Sequence, residues 1–308
     1  MNKIVAICGP TAVGKTAYSI EIAKRFDGEI VSCDSMQLYK YMDIGSAKPS
    51  LDELNQVKHH LIGIVDPSEM FSVAKYKELA NDAIDDIISR GKLPIIAGGT
   101  GLYLDALLFD LDFAAAPSDD SLRDELYKIA EEKGNLELHA ILNECDPDSA
   151  KRIHPNNVRR VVRAIESAKS GNKLKDFAKD LSLNDKYEFI LIGLRRDREE
   201  LYERINRRVD ILVEEGLFEE VKMLREMGLS ESDISMKGIG YKEVLAYFDG
   251  EYDLETAIDT IKKNTRHFAK RQITWLKRYD DMKWFDLSES KDDKDSIREI
   301  ITWLEKSL

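Results

Sequence analysis

The residues with the clearest chemistry lie near the start of the chain. The stretch Gly9-Pro10-Thr11-Ala12-Val13-Gly14-Lys15-Thr16 has the spacing G-x-x-x-x-G-K-[ST] and follows a short apolar run that ends at Cys8. Its glycines let backbone N–H groups converge on an anion, the lysine adds a positive charge, and the last hydroxyl can ligate Mg²⁺. Residues 17–23 predict a helix whose N-terminus faces the same anion. The stretch therefore predicts a loop that binds a di- or triphosphate.

A second candidate is Asp34, which follows the apolar stretch 29–33. A carboxylate at a strand end beside a phosphate loop can hold Mg²⁺ through water. It can also accept a proton from a nucleophile that attacks near the bound phosphate. Aspartate before Ser35 is, in addition, a common cap of a helix or turn. The residue alone leaves these three roles open.

Strand and helix patterns alternate around these candidates. Short buried strands are predicted at 4–8, 29–33, 93–97 and 189–194, and helices at 71–88, 102–108 and 198–215. Such alternation indicates a parallel sheet covered on both faces. Ligands of these sheets bind at the carboxyl ends of the strands, where Gly9, Asp34 and Gly98 are expected. We predict an α/β fold, a P-loop NTPase-like parallel sheet flanked by helices.

The domain organisation follows from a change in composition near Phe113–Pro117. From 118 to about 185 the pattern is helical, with no strand-like run, and the residues after 194 are also predicted to be helical. We therefore expect the first part of the P-loop core at 1–112 and a helical insertion subdomain at 113–185. The second part of the core, with the C-terminal helices, is expected at 186–308.

Composition excludes several classes of protein. Of the 308 residues, 43% are hydrophobic and 34% are charged, and no apolar run approaches the roughly 20 residues of a membrane helix. Cys8, Cys33 and Cys145 form no C-x-x-C pair, which argues against a disulfide framework or a zinc site and favours a reducing cytoplasm.

Charge is unevenly distributed. The net charge of −12 by itself disfavours a nucleic-acid partner. The segment 262–278, however, holds seven lysines and arginines and no acidic residue. A local basic face on an acidic protein is therefore expected.

Seven blocks of the sequence, in order, resemble the signature of the tRNA dimethylallyltransferases, also called tRNA isopentenyltransferases. The blocks are Asp34–Tyr39 followed by Met42–Pro49, then His59–Ile62, Phe71–Tyr76, Gly98–Tyr103, Arg204–Val209, Gly238–Tyr241 and Lys270–Leu276. The resemblance implies transfer of a dimethylallyl group from dimethylallyl diphosphate to N6 of adenosine 37, beside the tRNA anticodon. It implies tRNA and dimethylallyl diphosphate as partners, Mg²⁺ on Thr16 as cofactor, a cytoplasmic location and no membrane. A monomer is expected because one chain contains the whole site.

The same resemblance assigns roles to residues. Asp34 becomes the base that takes the N6 proton, and Thr100 lies near the reacting centre. Arg208 joins the diphosphate donors, although which of Arg204, Arg207 and Arg208 contacts the diphosphate stays open. The predicted diphosphate-binding residues are Gly9, Thr11, Ala12, Val13, Gly14, Lys15 and Thr16.

The predicted tRNA contacts combine residues near the flipped adenine with basic segments. They are Asp34, Ser35, Met36, Gln37, Arg123, Arg159, Arg160, Arg163, Lys237, Gly240, Tyr241, Lys270, Arg271, Gln272, Trp275 and Lys277. Each basic residue could instead be a solvated surface residue. For Tyr241 and Trp275, packing in the core is favoured over stacking on a base.

Two other functions compete with this interpretation. A P-loop small-molecule or nucleotide kinase would bind ATP in the same loop, and a non-catalytic RNA-binding protein would use a nucleotide as a switch. Both lose support because the strand Ile95-Ile96-Ala97 runs into glycines and carries no second acidic residue at its end.

Overall fold

The structure is a computed structural model that describes residues 2–109, 111, 120–171, 183–290 and 292–308. One parallel sheet of six strands organises this part of the chain. The strands are β1 (Asn2–Cys8), β2 (Gly28–Cys33), β3 (His59–His60), β4 (Leu93–Gly98), β5 (Tyr187–Arg195) and β6 (Lys283–Asp286). Their order across the sheet is β3-β2-β4-β1-β5-β6. The predicted α/β fold with a parallel sheet is thereby confirmed.

Helices connect and cover these strands. They are α1 (Lys15–Arg25), α2 (Leu51–Gln56), α3 (Val73–Ser89), α4 (Gly101–Leu108), α5 (Asp120–Lys133), α6 (Asn135–Cys145), α7 (Pro147–Arg152), α8 (Val158–Lys169), α9 (Arg198–Glu214), α10 (Leu217–Glu226), α11 (Tyr241–Phe248), α12 (Leu254–Leu276) and α13 (Asp293–Glu305). A short 3₁₀ helix spans Ser235–Lys237. No helix in the described ranges is long and apolar enough to cross a membrane.

The register brings the predicted site residues to one edge of the sheet. Gly98, the last residue of β4, pairs with Cys8 of β1 on one side and with Cys33 of β2 on the other. The three strands therefore end side by side. The phosphate loop, Asp34 and the turn after Gly98 begin next to one another, as the strand pattern predicted.

Burial on both faces explains why the central strands read as continuous apolar runs. Residues 4–7 of β1 are fully buried, and α1 packs Ile20 and Ile22 into the same core. Strands of this kind carry no alternation of polar and apolar residues, since helices cover both faces.

Two strands were not predicted. β6 lies in a segment that was expected to be helical, and that expectation is wrong: its four residues pair with β5 at the edge of the sheet. β3 has only two residues, which pair with Ile30 and Val31 of β2. Segments this short show no usable period, so their pairing depends on a neighbour that is distant in sequence.

The chain forms two compact units. One contains residues 1–108 and 184–308, and the other contains 109–183. The second unit has its own core, in which Leu138 and Leu142 of α6 pack with Val161 and Ile165 of α8. The boundaries predicted from sequence, 112/113 and 185/186, stay a prediction about domain organisation. The compositional change at 113–117 lies outside the described residues.

Candidate active site

A cavity of about 600 Å³ opens at the carboxyl ends of β1, β2 and β4. This volume is in the range of sites that hold small ligands. The cavity brings together many of the predicted residues. Those that line it are Thr11, Ala12, Gly14, Lys15, Thr16, Asp34, Ser35, Met36, Gln37, Thr100, Arg208, Lys237, Gly240, Arg271 and Gln272. Gly9 and Val13 are buried behind the lining.

The phosphate loop adopts backbone conformations that its sequence permits. Gly14 has φ 116°, which glycine adopts freely, and Ala12 has φ 63°, an uncommon value for a residue with a side chain. Gly9 is needed for a different reason, since an added Cβ would lie 2.7 Å from the carbonyl oxygen of Leu194. The loop is thus held tightly against the sheet.

Two arginines of the β5–α9 region brace this loop from outside the cavity. Arg204 Nε donates to the Ala12 carbonyl at 3.0 Å, and Arg196 Nε donates to the Val13 carbonyl at 3.1 Å. Arg196 also pairs with Glu200 and Asp293. These hydrogen bonds satisfy two backbone carbonyls of the loop and stabilise the strained conformation of Ala12.

Lys15 faces the cavity but bonds to its own loop. Its Nζ donates to the carbonyls of Gly9 and Pro10, at 3.0 and 2.9 Å. Burial lowers the pKa of Lys15 to about 8, and the nearby Asp34 opposes that shift. An anion in the cavity would compete for this ammonium group and raise its pKa.

Asp34 acts as a cap and also lines the cavity. Its Oδ1 accepts a hydrogen bond from the Met36 backbone N–H at 2.9 Å. The capping role left open by the sequence is therefore present. It does not exclude the other two roles, because a carboxylate has several acceptor sites.

Thr100 joins the ends of β2 and β4. Its backbone N–H donates to the Cys33 carbonyl at 3.1 Å, while its Oγ1 accepts from the Ser35 N–H at 3.1 Å. A Cβ at Gly98 would lie 2.1 Å from the carbonyl oxygen of Cys33, so only glycine permits this approach. The hydroxyl of Thr100 and the carboxylate of Asp34 are consequently held on one wall.

Of the three candidate arginines, Arg208 is the one that lines the cavity. Its guanidinium donates to the Ala47 carbonyl at 3.3 Å, and burial lowers its pKa while Asp34 opposes that shift. Arg204 is the loop brace described above, and Arg207 is exposed. The geometry therefore favours Arg208 as a diphosphate ligand, a role that stays a prediction.

Sequence reasoning missed Glu220, which fixes the loop at 43–47. Its carboxylate accepts hydrogen bonds from the backbone N–H groups of Asp43, Ile44 and Gly45, at 2.7, 2.7 and 2.9 Å. The residue is 8% exposed and lies on α10, far away in sequence. No local motif could have found it.

Tyr241 packs in the core, as the sequence analysis favoured. The ring is 0% exposed, and its hydroxyl donates to Glu220 at 2.8 Å. A Cβ at Gly45 would lie 2.5 Å from Cζ of this ring, so the 43–47 loop rests directly on it. The ring packs in the core and offers no face to a base, so the predicted tRNA contact by this side chain is not supported.

The basic segment on α12 divides into exposed and engaged residues. Lys270, Arg271 and Lys277 are exposed, as a nucleic-acid contact requires. Lys262 instead forms an ion pair with Asp210, and Arg278 forms one with Asp105 while its guanidinium lies 4.4 Å from the Trp275 ring centroid. The expected basic face is therefore smaller than the sequence count suggests.

Four predicted tRNA contacts belong to the helical unit. Arg159, Arg160 and Arg163 are exposed on α8, whose opposite face is buried. Arg123 Nε lies 2.7 Å from Glu166 in an ion pair. The first three remain available to a polyanion, whereas Arg123 would have to leave its partner.

Residues outside the predicted set also line the cavity, among them Lys242 and Phe268. Lys242 follows the glycine pair at 238 and 240, and Phe268 lies on α12 one turn before Gln272. Lys242 directly follows the family block Gly238–Tyr241, and Phe268 lies just before the block Lys270–Leu276. This proximity is the feature of the sequence that could have indicated them. The aromatic ring and the added cation extend the mixed apolar and basic lining.

The sheet and the phosphate loop define a P-loop α/β protein, and Lys15 and Arg208 line its cavity. The IPP transferase family model matches residues 37–279, and a tRNA dimethylallyltransferase of Clostridioides difficile (strain 630) is 50% identical over 310 residues, 100% of both chains. The chain belongs to the IPP transferase family.

Solved structures agree with this assignment. The tRNA isopentenylpyrophosphate transferase of Bacillus halodurans is 45% identical, with a TM-score of 0.76, and the match covers 99% of this chain and 96% of that one. A eukaryotic dimethylallyltransferase, solved while acting on tRNA, is 31% identical, with a TM-score of 0.85 over 100% of this chain and 79% of that one.

Proposed function

We propose that this chain is a tRNA dimethylallyltransferase. It transfers the dimethylallyl group of dimethylallyl diphosphate to N6 of adenosine 37 in tRNA and releases diphosphate. The observation that carries the proposal is the juxtaposition, in one cavity, of the phosphate loop with Asp34 and Thr100. A phosphate site alone would suit many enzymes, whereas a carboxylate and a hydroxyl in the same cavity suit attack by a weak nucleophile.

The phosphate loop stabilises the leaving group. As the C–O bond of the substrate breaks, its electron pair stays with the diphosphate, where negative charge develops. Donors that are fixed in advance stabilise such charge most strongly. In this chain they are the loop N–H groups, the Lys15 ammonium and the Arg208 guanidinium, all at the cavity.

Mg²⁺ fits the oxygen donors at this site. It prefers oxygen ligands and is usually held by one or two protein groups, with phosphates and water completing its shell. The Thr16 hydroxyl lines the cavity at the start of α1 and would be one such ligand. When bound, the ion neutralises charge on the diphosphate.

Asp34 takes the proton of the nucleophile. The N6 amine of adenine is a weak nucleophile because its lone pair is delocalised into the ring. As the new N–C bond forms, the amine loses a proton, which the Asp34 carboxylate accepts. The Thr100 hydroxyl orients the amine or the diphosphate beside it.

The nucleic acid enters as a single flipped base. Moving adenosine 37 out of its stack costs a few kcal/mol, roughly 2–4, which backbone contacts must offset. Exposed Lys237, Lys270, Arg271 and Lys277 are suited to the phosphates, with Arg159, Arg160 and Arg163 as further proposed contacts. The proposal includes a monomeric enzyme that acts in the cytoplasm.

Ligand protection tests the substrate class. Thermal unfolding is followed with Mg²⁺ and either dimethylallyl diphosphate or ATP, because a ligand that binds the folded state raises the transition temperature. Dimethylallyl diphosphate should protect at least as well as ATP, and Lys15→Met should lose that protection. Strong protection by ATP with none by dimethylallyl diphosphate would instead support a kinase.

A further inference from the structure

Gln272 of α12 links two loops of the cavity. Its Oε1 accepts a hydrogen bond from the Thr11 backbone N–H at 2.8 Å, and its Nε2 donates to the Gly99 carbonyl at 2.9 Å. The side chain is 6% exposed, and both ends of its amide are satisfied. One side chain thus bridges the phosphate loop and the turn that carries Thr100.

The glycines of that turn show how closely α12 approaches. A Cβ on Gly99 would lie 2.2 Å from Nε2 of Gln272, and one on Gly101 would lie 2.3 Å from Cδ1 of Trp275. Neither glycine has a positive φ, so space and not backbone conformation requires them. Gln272 and Trp275 are three residues apart and share one face of the helix.

Basic residues lie exposed beside this contact. Lys270 and Arg271 directly precede Gln272, and Lys277 caps the C-terminus of the helix five residues later. The same helix therefore presents cations to solvent and holds the phosphate loop with its buried face.

We propose that Gln272 is a positioning residue that sets the distance between the phosphate loop and Thr100, and so couples the basic face of α12 to the reacting centre. This inference rests on the proposed prenyl transfer. In that reaction the diphosphate would lie on the phosphate loop, and Thr100 and Asp34 lie at the neighbouring strand ends. Small displacements of reacting groups lower rates by about 10- to 100-fold. A direct tRNA contact by Gln272, which the resemblance implies, stays a separate prediction.

The first test removes the amide without changing the size of the side chain. Gln272→Met should lower kcat about 10- to 100-fold, with tRNA affinity within about twofold of the wild type. The matched control is Asn264→Leu, which removes another amide of α12, one that bonds to Glu243 at 2.7 Å away from the phosphate loop. Asn264→Leu should keep the kcat of the wild type, even if its unfolding temperature falls as far as that of Gln272→Met.

The pH dependence of a second variant distinguishes a positioning role of Gln272 from a general loss of protein stability. In Gln272→Glu the introduced carboxyl can still accept from Thr11, but it can donate to the Gly99 carbonyl only when protonated. Burial raises the pKa of such a carboxyl. The kcat of Gln272→Glu, relative to the wild type, should therefore recover as pH falls from 8 to 6, whereas the ratio for Gln272→Met should stay level.

Gly99→Ala approaches the same contact from the other side. Its added Cβ must displace the Gln272 amide, so this variant should lower kcat as Gln272→Met does. Both changes break the same contact, so their effects should not multiply. The kcat of the double variant should therefore lie within about twofold of the kcat of the slower single variant. Effects that multiply would overturn the proposal, as would a Gln272→Met enzyme with wild-type kcat.

The outcomes keep this inference apart from the proposed function. If the wild type forms no prenylated adenosine, the proposed function fails. The effect of Gln272 on the phosphate loop is then tested by comparing the affinity of each variant for inorganic diphosphate with that of the wild type. If the wild type is active and both Gln272 variants match it in kcat and pH profile, only the positioning role fails.

Discussion

The backbone N–H of Ser35 donates to Oγ1 of Thr100 at 3.1 Å. This bond joins the residue after Asp34 to the glycine-rich turn that ends β4, so the proposed base and the hydroxyl are held by one short connection. The part of the cavity beside the phosphate loop is consequently built from two strand ends that share a single hydroxyl.

Loss of that hydroxyl should affect both stability and turnover. Thr100→Val keeps the shape but leaves the Ser35 N–H without its acceptor, which should cost about 1–2 kcal/mol of unfolding free energy and lower kcat. Thr100→Ser retains the acceptor and should stay within a few-fold of the wild type. Denaturant unfolding and steady-state kinetics measure both effects, and equal kcat for the two variants would remove the role of the hydroxyl.

Asp34→Asn should separate proton transfer from binding. The amide oxygen can still accept from the Met36 N–H, so the loop conformation is expected to persist. Without a base, kcat should fall about 10²- to 10⁴-fold, while tRNA affinity changes little. A variant that loses tRNA affinity but turns over bound tRNA normally would make Asp34 a binding residue.

Arg208 and Arg207 form a matched pair on α9. Arg208→Gln removes a guanidinium that lines the cavity, whereas Arg207→Gln removes one that is exposed outside the lining. Only Arg208→Gln should weaken the binding of inorganic diphosphate and lower kcat, and each of these two quantities should fall by about 10-fold or more. Isothermal titration with diphosphate compares them, and an equal loss in both would mean that general charge, not position, matters.

The pH dependence of diphosphate binding should reveal Lys15. Its pKa of about 8 lies below the usual 10.5, so the ligand-free protein loses this charge as pH rises through 8. Diphosphate binds the charged form, and its dissociation constant should therefore increase above pH 8, by up to about tenfold per pH unit. Lys15→Met lacks the group and should show a flatter profile. Parallel profiles for the two proteins would contradict this assignment.

Local motifs explain what the sequence could predict. The phosphate loop has fixed spacing between a strand and a helix, and the apolar runs of β1, β2 and β4 make their parallel pairing and common edge predictable. Asp34 and Thr100 follow these strands directly, so their approach needed no long-range information.

Contacts between distant segments could not be predicted. Gln272 reaches Thr11 across 261 residues, and Glu220 reaches Ile44 across 176. The choice between Arg204 and Arg208 depended on the position of α9 against the loop, because the two residues are one helical turn apart. Core packing of Tyr241 was favoured from sequence, but its contact partners, Gly45 and Glu220, were not predictable.

The most direct test of the central claim is the product itself. The protein is incubated with Mg²⁺, dimethylallyl diphosphate and unmodified tRNA that carries adenosines at positions 36, 37 and 38, and the digested nucleosides are weighed by mass spectrometry. Asp34→Asn serves as the matched control. We expect N6-isopentenyladenosine from the wild type, confined to position 37, and little from the variant. Absence of any prenylated adenosine with the wild type would contradict the account.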